Sequence, residues 1–450
     1  MRRPTRLLTA RGAIALPAFL PDATRAGVKG LDAEDLTRAG VEILMVNAFH
    51  LAQSPGTSRI AALGGIRRFM GWPGPVASDS GGFQAYSLLA GKGGSVGRSA
   101  GGGAGRGAGS GAGRSAGGGA GRTAGGGAGR TAGGGAGRSA GDGTGRSAER
   151  GPGRAGFSGV SDEGFSLRRP GRSRRELLTP EKSIRHQFRL GADILFCLDQ
   201  CTHPRAPQTL QREGVRRTVD WARRCRRELD RLLEAAPNAE EAEVAGRPTG
   251  ASSASMAGST TRPLLFAVVQ GGADRDLRRE CADRLMEIGF DGYGFGGWPV
   301  EEGGALSEMV PFVAEILPSE FPLHGLGIGK PETLVRAWHA GYRLFDCVIP
   351  TRDGRHGRLF CFRDDPRSSP MEGKSFYREI GITSERYARE AAPIEAGCPC
   401  PLCTRRPAAY LHHLFACGDP AGPRLATIHN LVFYRRLIDA LRQRNAKPNG

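Results

Sequence analysis

Apolar runs and amphipathic stretches alternate along the chain. The runs VEILMVNAFHL, PVASDSGGFQ, ADILFCLDQCT, LLFAVVQGG, YGFGGWPV, HGLGIG and LFDCVIPTR read as strands, and segments such as PEKSIRHQFRLG and PETLVRAWHAG between them read as helices. Alternation on this scale predicts a parallel α/β fold. Each strand-like run ends on polar or glycine residues: Asn47 and His50, Asp79, Asp199, Gln270, Gly296 and Gly297, Gly327, Asp346. In a (β/α)8 barrel the C-terminal strand ends converge on one face, so these residues would share a pocket. The predicted fold is therefore a TIM-like (β/α)8 barrel.

Two segments interrupt the alternation. Over 91–156 the composition collapses to Gly, Ala, Ser, Thr and Arg, with an arginine every eight residues from Arg98 through Arg106, Arg114, Arg122, Arg130, Arg138 and Arg146 to Arg154. Such a segment has almost nothing to bury and much chain entropy to lose, so it is expected to be a disordered loop insertion. It reads either as an RNA-tethering arm or as a repeat expansion tolerated at a surface loop. A shorter loop insertion is expected over 236–262, after the helix containing VDWARRCRRELDRLL. The barrel is then assigned to 1–90, 157–235 and 263–395, and a metal-binding subdomain with a C-terminal helix to 396–450.

Hydrophobic residues make up 39% of the 450, enough for a sizeable core. No apolar run approaches a membrane span, and the N-terminus lacks the continuous apolar stretch of a signal peptide, so the cytoplasm is the expected location. The net charge of +18 points to a polyanionic partner, nucleic acid rather than membrane. The 91–156 segment carries nine Arg and one Lys against one Asp and one Glu, so the rest of the chain is still basic.

Candidate chemistry sits in the strand-end acids and in one cysteine cluster. Asp79 stands between small residues in VASDSGGFQ, a setting a solvated carboxylate does not need. Asp346 lies inside the apolar run LFDCV, and Asp199 follows Leu198. Two carboxylates on one barrel face suit displacement at an anomeric carbon, one attacking and one managing the proton of the leaving group; a third could read the donor edge of a purine. Ten cysteines are scattered along the chain, and Cys398, Cys400 and Cys403 alone are dense. With His429 they supply the four ligands of a closed tetrahedral zinc site. His412 and His413 are rivals for the fourth position.

DSGGFQ, DQCT, VVQGG, GFGG, FDCVIPTR, the CxCxxC group and TIHNL, in this order, resemble the tRNA-guanine transglycosylases, the queuine tRNA-ribosyltransferases. The resemblance extends to PAFLPDATRAGVKGL, NAFHL and LLTPEKSIRHQFRLGADI, nearly the whole chain outside the two insertions. It implies that Asp346 is the nucleophile attacking C1′ of the wobble guanosine, and that Asp79 is the general acid/base. It also implies a base pocket of Ser80, Phe83, Asp199, Cys201, Gln270, Gly297 and Trp298, with Phe83 stacking and Asp199 accepting from the purine N–H edge. Arg352 and Arg355, in PTRDGRHGR, match loop cations that bind the tRNA backbone. The zinc is then structural, held by Cys398, Cys400, Cys403 and His429. The partners are tRNA with a GUN anticodon, a 7-deazaguanine base and a second copy in a homodimer.

The chain departs from that pattern in two places. Gln200 stands where many bacterial members have an acid, and Trp298-Pro299 replaces a Leu-Ala pair. Cys201 and Val300 match the bacterial form, in which a bulky Val suits a small 7-substituent, so 7-aminomethyl-7-deazaguanine (preQ1) is the expected substrate and queuine the alternative. The rival functions are a catalytically silent tRNA-binding paralogue and base exchange on a different nucleic acid.

Overall fold

A computed structural model of the chain describes residues 3–83, 156–168, 175–235 and 262–446. The repeat expected over 91–156 and the loop over 236–262 lie outside the described residues, apart from Gly156 and Arg262.

The chain opens with an antiparallel hairpin, β1 (Arg6–Thr9) and β2 (Gly12–Ala15). Three barrel strands follow, β3 (Ala18–Pro21), β4 (Leu44–Asn47) and β5 (Val76–Asp79). A three-stranded antiparallel sheet, β6 (Gly156–Ser161), β7 (Gly164–Arg168) and β8 (Arg175–Leu178), precedes the next five barrel strands. These are β9 (Ile194–Phe196), β10 (Leu264–Val269), β11 (Gly292–Phe295), β12 (Leu323–Gly325) and β13 (Leu344–Cys347). A second hairpin, β14 (Arg358–Phe362) and β15 (Tyr377–Gly381), leads to the C-terminal helices Ala408–Ala416 and Ala421–Ala446.

The eight barrel strands pair in parallel in chain order from β4 through β13, β13 pairs with β3, and a parallel bridge from Asp22 to Met45 closes the ring. This is the (β/α)8 barrel that the alternation predicts. Its strands are buried on both faces, as all four residues of Leu44–Asn47 and all six of Leu264–Val269 illustrate. The helices between them carry their own signals. Thr179 caps Pro180–Leu190 by accepting from the Lys182 N–H at 3.2 Å, and left-handed Gly191 ends it. Pro331–Ala340 likewise starts on Pro and stops at left-handed Gly341.

The hairpin plugs the N-terminal mouth. Leu7, Ile14 and Leu16 pack with Ile43, Ile194, Leu264 and Leu344, which lie at the N-terminal ends of the barrel strands. Arg11 adds an ion pair of 3.2 Å to Asp193, whose other oxygen accepts from the Val76 N–H at 2.8 Å. The three-stranded sheet docks on the helix Gln208–Glu234, where Phe165 packs edge-on against Trp221 at 5.1 Å and the indole N–H donates to the Asp162 carbonyl at 2.7 Å. With the N-terminal end plugged, the C-terminal mouth is where polar side chains can meet a ligand.

Candidate active site

Asp79 is the last residue of β5, and its carboxylate is held from two sides. Oδ2 accepts from Asn47 Nδ2 at 2.7 Å, and Oδ1 accepts from the Gly81 N–H at 3.3 Å. Asn47 occupies the end of neighbouring β4, in register with Asp79, so the pair is a direct product of parallel strand pairing. The glycines after Asp79 clear space in a defined way. Gly81 has φ +90°, and a Cβ there would meet Phe49 Cβ at 2.5 Å. A Cβ on Gly82 would meet both the carbonyl and the Oδ1 of Asp199 at 2.8 Å. The DSGG turn is thus pressed against Asp199, and two acids far apart in sequence meet.

Asp199 lies three residues beyond β9 and is 8% exposed. Its Oδ2 accepts from Gln270 Nε2 at 2.6 Å, Gln270 being the residue after β10. Burial pushes the Asp199 carboxyl up to about 7; the Gln270 hydrogen bond opposes that rise and the charge of Asp79 adds to it. Cys201 is buried beside them, and burial raises its thiol well above the ordinary range. Gln270 Oε1 is buried with no hydrogen-bond partner among the described residues. Gly296 lies against the Gln270 amide, where a Cβ would sit 2.5 Å from Nε2, and Gly297 follows.

An aromatic wall stands over this group. Trp298 lies between Phe83, at 5.7 Å between ring centroids, and His203, at 5.5 Å. Phe83 keeps 48% of its surface exposed. Ser80 is buried, its carbonyl accepting from Ser183 Oγ at 3.1 Å.

Asp346 enters the same mouth from β13. Its Oδ1 accepts from His324 Nε2 at 2.8 Å and from the Gly327 N–H at 3.3 Å. Arg352 and Arg355 follow on the helix Ile349–Arg355, a correction to their expected place in a loop. Pro350 at the start of that helix and the buried Gly354 against Thr427 explain why the segment coils instead of remaining irregular. The Arg352 side chain is about half exposed and touches Asp353 at 3.2 Å, whereas burial lowers Arg355, with the charge of Asp22 opposing.

The cysteine cluster forms as the spacing predicts. Cys398, Cys400, Cys403 and His429 are all buried, and their ligand atoms lie within 4.8 Å of one another. His429 Nδ1 is 3.7, 3.5 and 3.3 Å from the three sulfurs. Tetrahedral bond lengths of about 2.3 Å to sulfur and about 2.0 Å to nitrogen put those edges near 3.5 Å, so the donor set fits a divalent metal. Nε2 donates to the Phe360 carbonyl at 2.9 Å, which fixes the tautomer with the Nδ1 lone pair towards the sulfurs. Hydrogen bonds from Cys398 first of all and from Cys403 pull the Cys400 thiol down, and a dication would hold the cluster's sulfurs as the thiolates that ligation requires. The rivals are elsewhere: His412 faces Glu385 at 4.0 Å and His413 is exposed.

A cavity of about 830 Å³ between β14 and the C-terminal helix is unrelated to this mouth. Of the arginines that line it, Arg435 and Arg442 pair with Glu42, Arg436 with Glu395 and Arg367 with Asp365, while Arg363 donates to the Tyr377 carbonyl at 3.2 Å.

Two residues of the mouth escaped the sequence reading. Asn47 was visible as a strand end but not as the partner of Asp79. His324 stands inside the run PLHGLGIG, the same polar-within-apolar signal that marks Asp346.

The fold and mouth define a class: a (β/α)8 enzyme with carboxylates gathered at the C-terminal strand ends and a Cys3His metal cluster beyond the last barrel strand. The profile of a family described as Queuine tRNA-ribosyltransferase matches residues 2–96 and 153–447, and the chain belongs to that family. Among its relatives is the queuine tRNA-ribosyltransferase of Novosphingobium aromaticivorans, 31% identical over 96% of this chain and 88% of that protein. The protein of that name from Zymomonas mobilis is 31% identical over 96% of this chain and 85% of its own, and that from Syntrophobacter fumaroxidans 32% over 98% and 89%. No helix among the described residues is long and apolar enough to cross a membrane.

Proposed function

We infer that the protein exchanges guanine at the wobble position of GUN-anticodon tRNAs for a 7-deazaguanine base, preQ1 being favoured. Asp346 Oδ2 attacks C1′, the C1′–N9 bond breaks with its electron pair going to guanine, and Asp79 supplies the proton the departing base takes up. The incoming base returns a proton to Asp79, and its N9 displaces the Asp346 carboxylate from C1′. The glycosyl ester conserves the bond energy, so the exchange needs no ATP.

The observation that carries this reading is the Asp199–Gln270 pair beneath Phe83 and Trp298. A buried carboxylate raised to about 7 and an amide oxygen without a partner are acceptors for which a purine N–H edge supplies donors. The exposed Phe83 ring offers a stacking face. Arg352 and Arg355, on the helix that follows the nucleophile strand, would meet the RNA backbone.

The Cys3His cluster would hold one structural zinc. It supplies no step of the reaction; its residues anchor the helix Ala421–Ala446. Asn430 on that helix donates to the Pro350 carbonyl at 2.9 Å and Tyr434 donates to the Gly329 carbonyl, which ties the metal cluster to the helix of Arg352 and Arg355. Retention of Asp79 and Asp346 speaks against a silent tRNA-binding paralogue, and no observation favours a different nucleic acid. A homodimer and a cytoplasmic location complete the proposal.

The test is release of labelled guanine from a GUN-anticodon tRNA with preQ1 and queuine offered separately. Release with preQ1 alone supports Val300 and Cys201 as the limit on the 7-substituent. Release with queuine alone means that the Trp298 wall remodels the pocket, and no release with either, while tRNA binds, refutes the exchange.

A further inference from the structure

Among the described residues, His324 is the fully buried side chain hydrogen-bonded to the proposed nucleophile. Strand register explains how. His324 pairs with Leu344 across the parallel β12–β13 ladder, and Asp346 is two residues further on, so both side chains emerge on the same face of the sheet one step apart. The imidazole has no exposed surface, whereas the Asp346 carboxylate keeps 19% of its own. Nε2 lies 2.8 Å from Asp346 Oδ1, and the Gly327 N–H approaches the same oxygen at 3.3 Å.

The rest of the imidazole gains little from this position. Nδ1 is buried without a hydrogen-bond partner among the described residues, and the ring meets Phe196 edge-on at 5.2 Å. A buried polar atom left unpaired is destabilising, and an aliphatic side chain would fill the same space without one. What the histidine supplies that Leu could not is the donor to Oδ1.

We propose that His324 is a positioning residue for Asp346: its Nε2–H engages Oδ1 and leaves Oδ2 as the oxygen that bonds to C1′. This rests on the reading of Asp346 as nucleophile. The consequence differs between the two half-reactions. In ester formation the fixed orientation helps attack, but a donor on the carboxylate also stabilises the ground state, and the two effects oppose. In ester cleavage, the incoming base forms C1′–N9, the C1′–Oδ2 bond breaks, and the electron pair returns to the carboxylate. There the donor stabilises the leaving group as its charge develops, and orientation works in the same direction. The donor therefore matters most in resolving the covalent intermediate.

The test compares His324→Gln with His324→Asn in the full-length chain. Both bury a side-chain amide, but only Gln reaches the position of Nε2. The covalent adduct with a GUN-anticodon tRNA is formed, trapped by rapid denaturation at intervals after a guanine chase, and its decay is timed on a denaturing gel; tRNA affinity is measured alongside. The expected result for Asn is decay slowed roughly tenfold to hundredfold, the worth of one hydrogen bond to a charged group, with a smaller change in adduct formation and unchanged tRNA affinity. Gln should restore most of the decay rate. Decay in Asn within about twofold of wild type overturns the proposal, as does equal slowing in Gln and Asn or loss of tRNA affinity in step with rate. Should either variant fold poorly, His324→Leu, which keeps the volume and lacks the donor, must show the same selective slowing; formation and decay impaired together would mean a packing role. A wild-type protein that forms no adduct, with Asp346→Ala indistinguishable from it, removes the nucleophile reading and the positioning role with it. An adduct that forms and decays identically in all variants removes the positioning role alone.

Discussion

Protonation of Asp199 should govern base binding across neutral pH. Its carboxyl is raised from the ordinary 3.8 to about 7 by burial first of all, with the Gln270 hydrogen bond opposing and the charge of Asp79 adding. The N–H edge of a guanine-like base presents donors, so it needs the ionised carboxylate as acceptor. Affinity for the free base should therefore rise with pH up to about 7 and level off above it. Between pH 8 and pH 5.5 the ionised fraction falls about thirtyfold, and Kd should weaken by the same factor. The same shift acts on stability with the opposite sense. The folded state holds this proton more tightly than the unfolded chain does, so the contribution is fully present below about pH 4 and is lost as pH rises to about 7. The rise corresponds to about 4 kcal/mol as an order of magnitude, and with Asp199 only 8% exposed there is little screening to discount. Asp199→Asn should thus melt several degrees higher than wild type at pH 8, differ little at pH 4, and bind the base weakly with no slope between pH 5.5 and 8. Isothermal titration with free guanine or preQ1, alongside thermal unfolding over the same pH range, measures both. A wild-type affinity flat across that range, or an Asn variant with the wild-type slope, would rule out Asp199 as the titrating acceptor.

Three other perturbations separate site from scaffold. Gly82→Ala should lower base affinity roughly tenfold or more, because its Cβ would lie 2.8 Å from the Asp199 carboxylate and force the DSGG turn away; calorimetry against free base checks it, with thermal unfolding to show the fold survives. Asp193→Ala should destabilise by roughly 3 kcal/mol, since it strips the Val76 N–H and Arg11 of a buried partner at the plugged end of the barrel; denaturant unfolding measures this, and base affinity should be unchanged. Metal removal by a strong chelator should weaken tRNA binding well before base binding, because Asn430 and Tyr434 link the cluster helix to Pro350 and Gly329 and not to the Asp199 pocket; filter binding with tRNA and calorimetry with base distinguish the two.

What the sequence made legible follows from where polarity breaks an apolar pattern. Asp79 and Asp346 interrupt strands buried on both faces, so each stood out, and both lie in the C-terminal mouth. The Cys3His set, His429 included, was legible from the CxCxxC spacing and TIHNL; the helix geometry that turns Nδ1 to the sulfurs is what the sequence could not show. The run VEILMVNAFHL hid a boundary: Leu44–Asn47 is strand and Ala48–Gln53 is helix, with Asn47 both ending the one and capping the other by accepting from the His50 N–H at 3.1 Å. Periodicity cannot mark that change where both elements are buried. The β6–β8 sheet was not legible either, because β6 and the start of β7 share the Gly and Ser of the preceding repeat; what holds β7 in place is Phe165 on Trp221, a contact distant in sequence. His324 was missed because a lone histidine in an apolar run is usually a core residue, and its partner two strand positions up the neighbouring β13 is set by register.

The most direct test of the account is to map the covalent link. A GUN-anticodon tRNA incubated with the protein in the absence of free base, denatured and digested, should leave a ribosyl-RNA fragment on the peptide containing Asp346, detected by mass spectrometry and absent from Asp346→Ala. Attachment to Asp79 or Asp199 would reverse the assigned roles, and guanine exchange proceeding with no peptide attached to RNA would contradict the two-step displacement altogether.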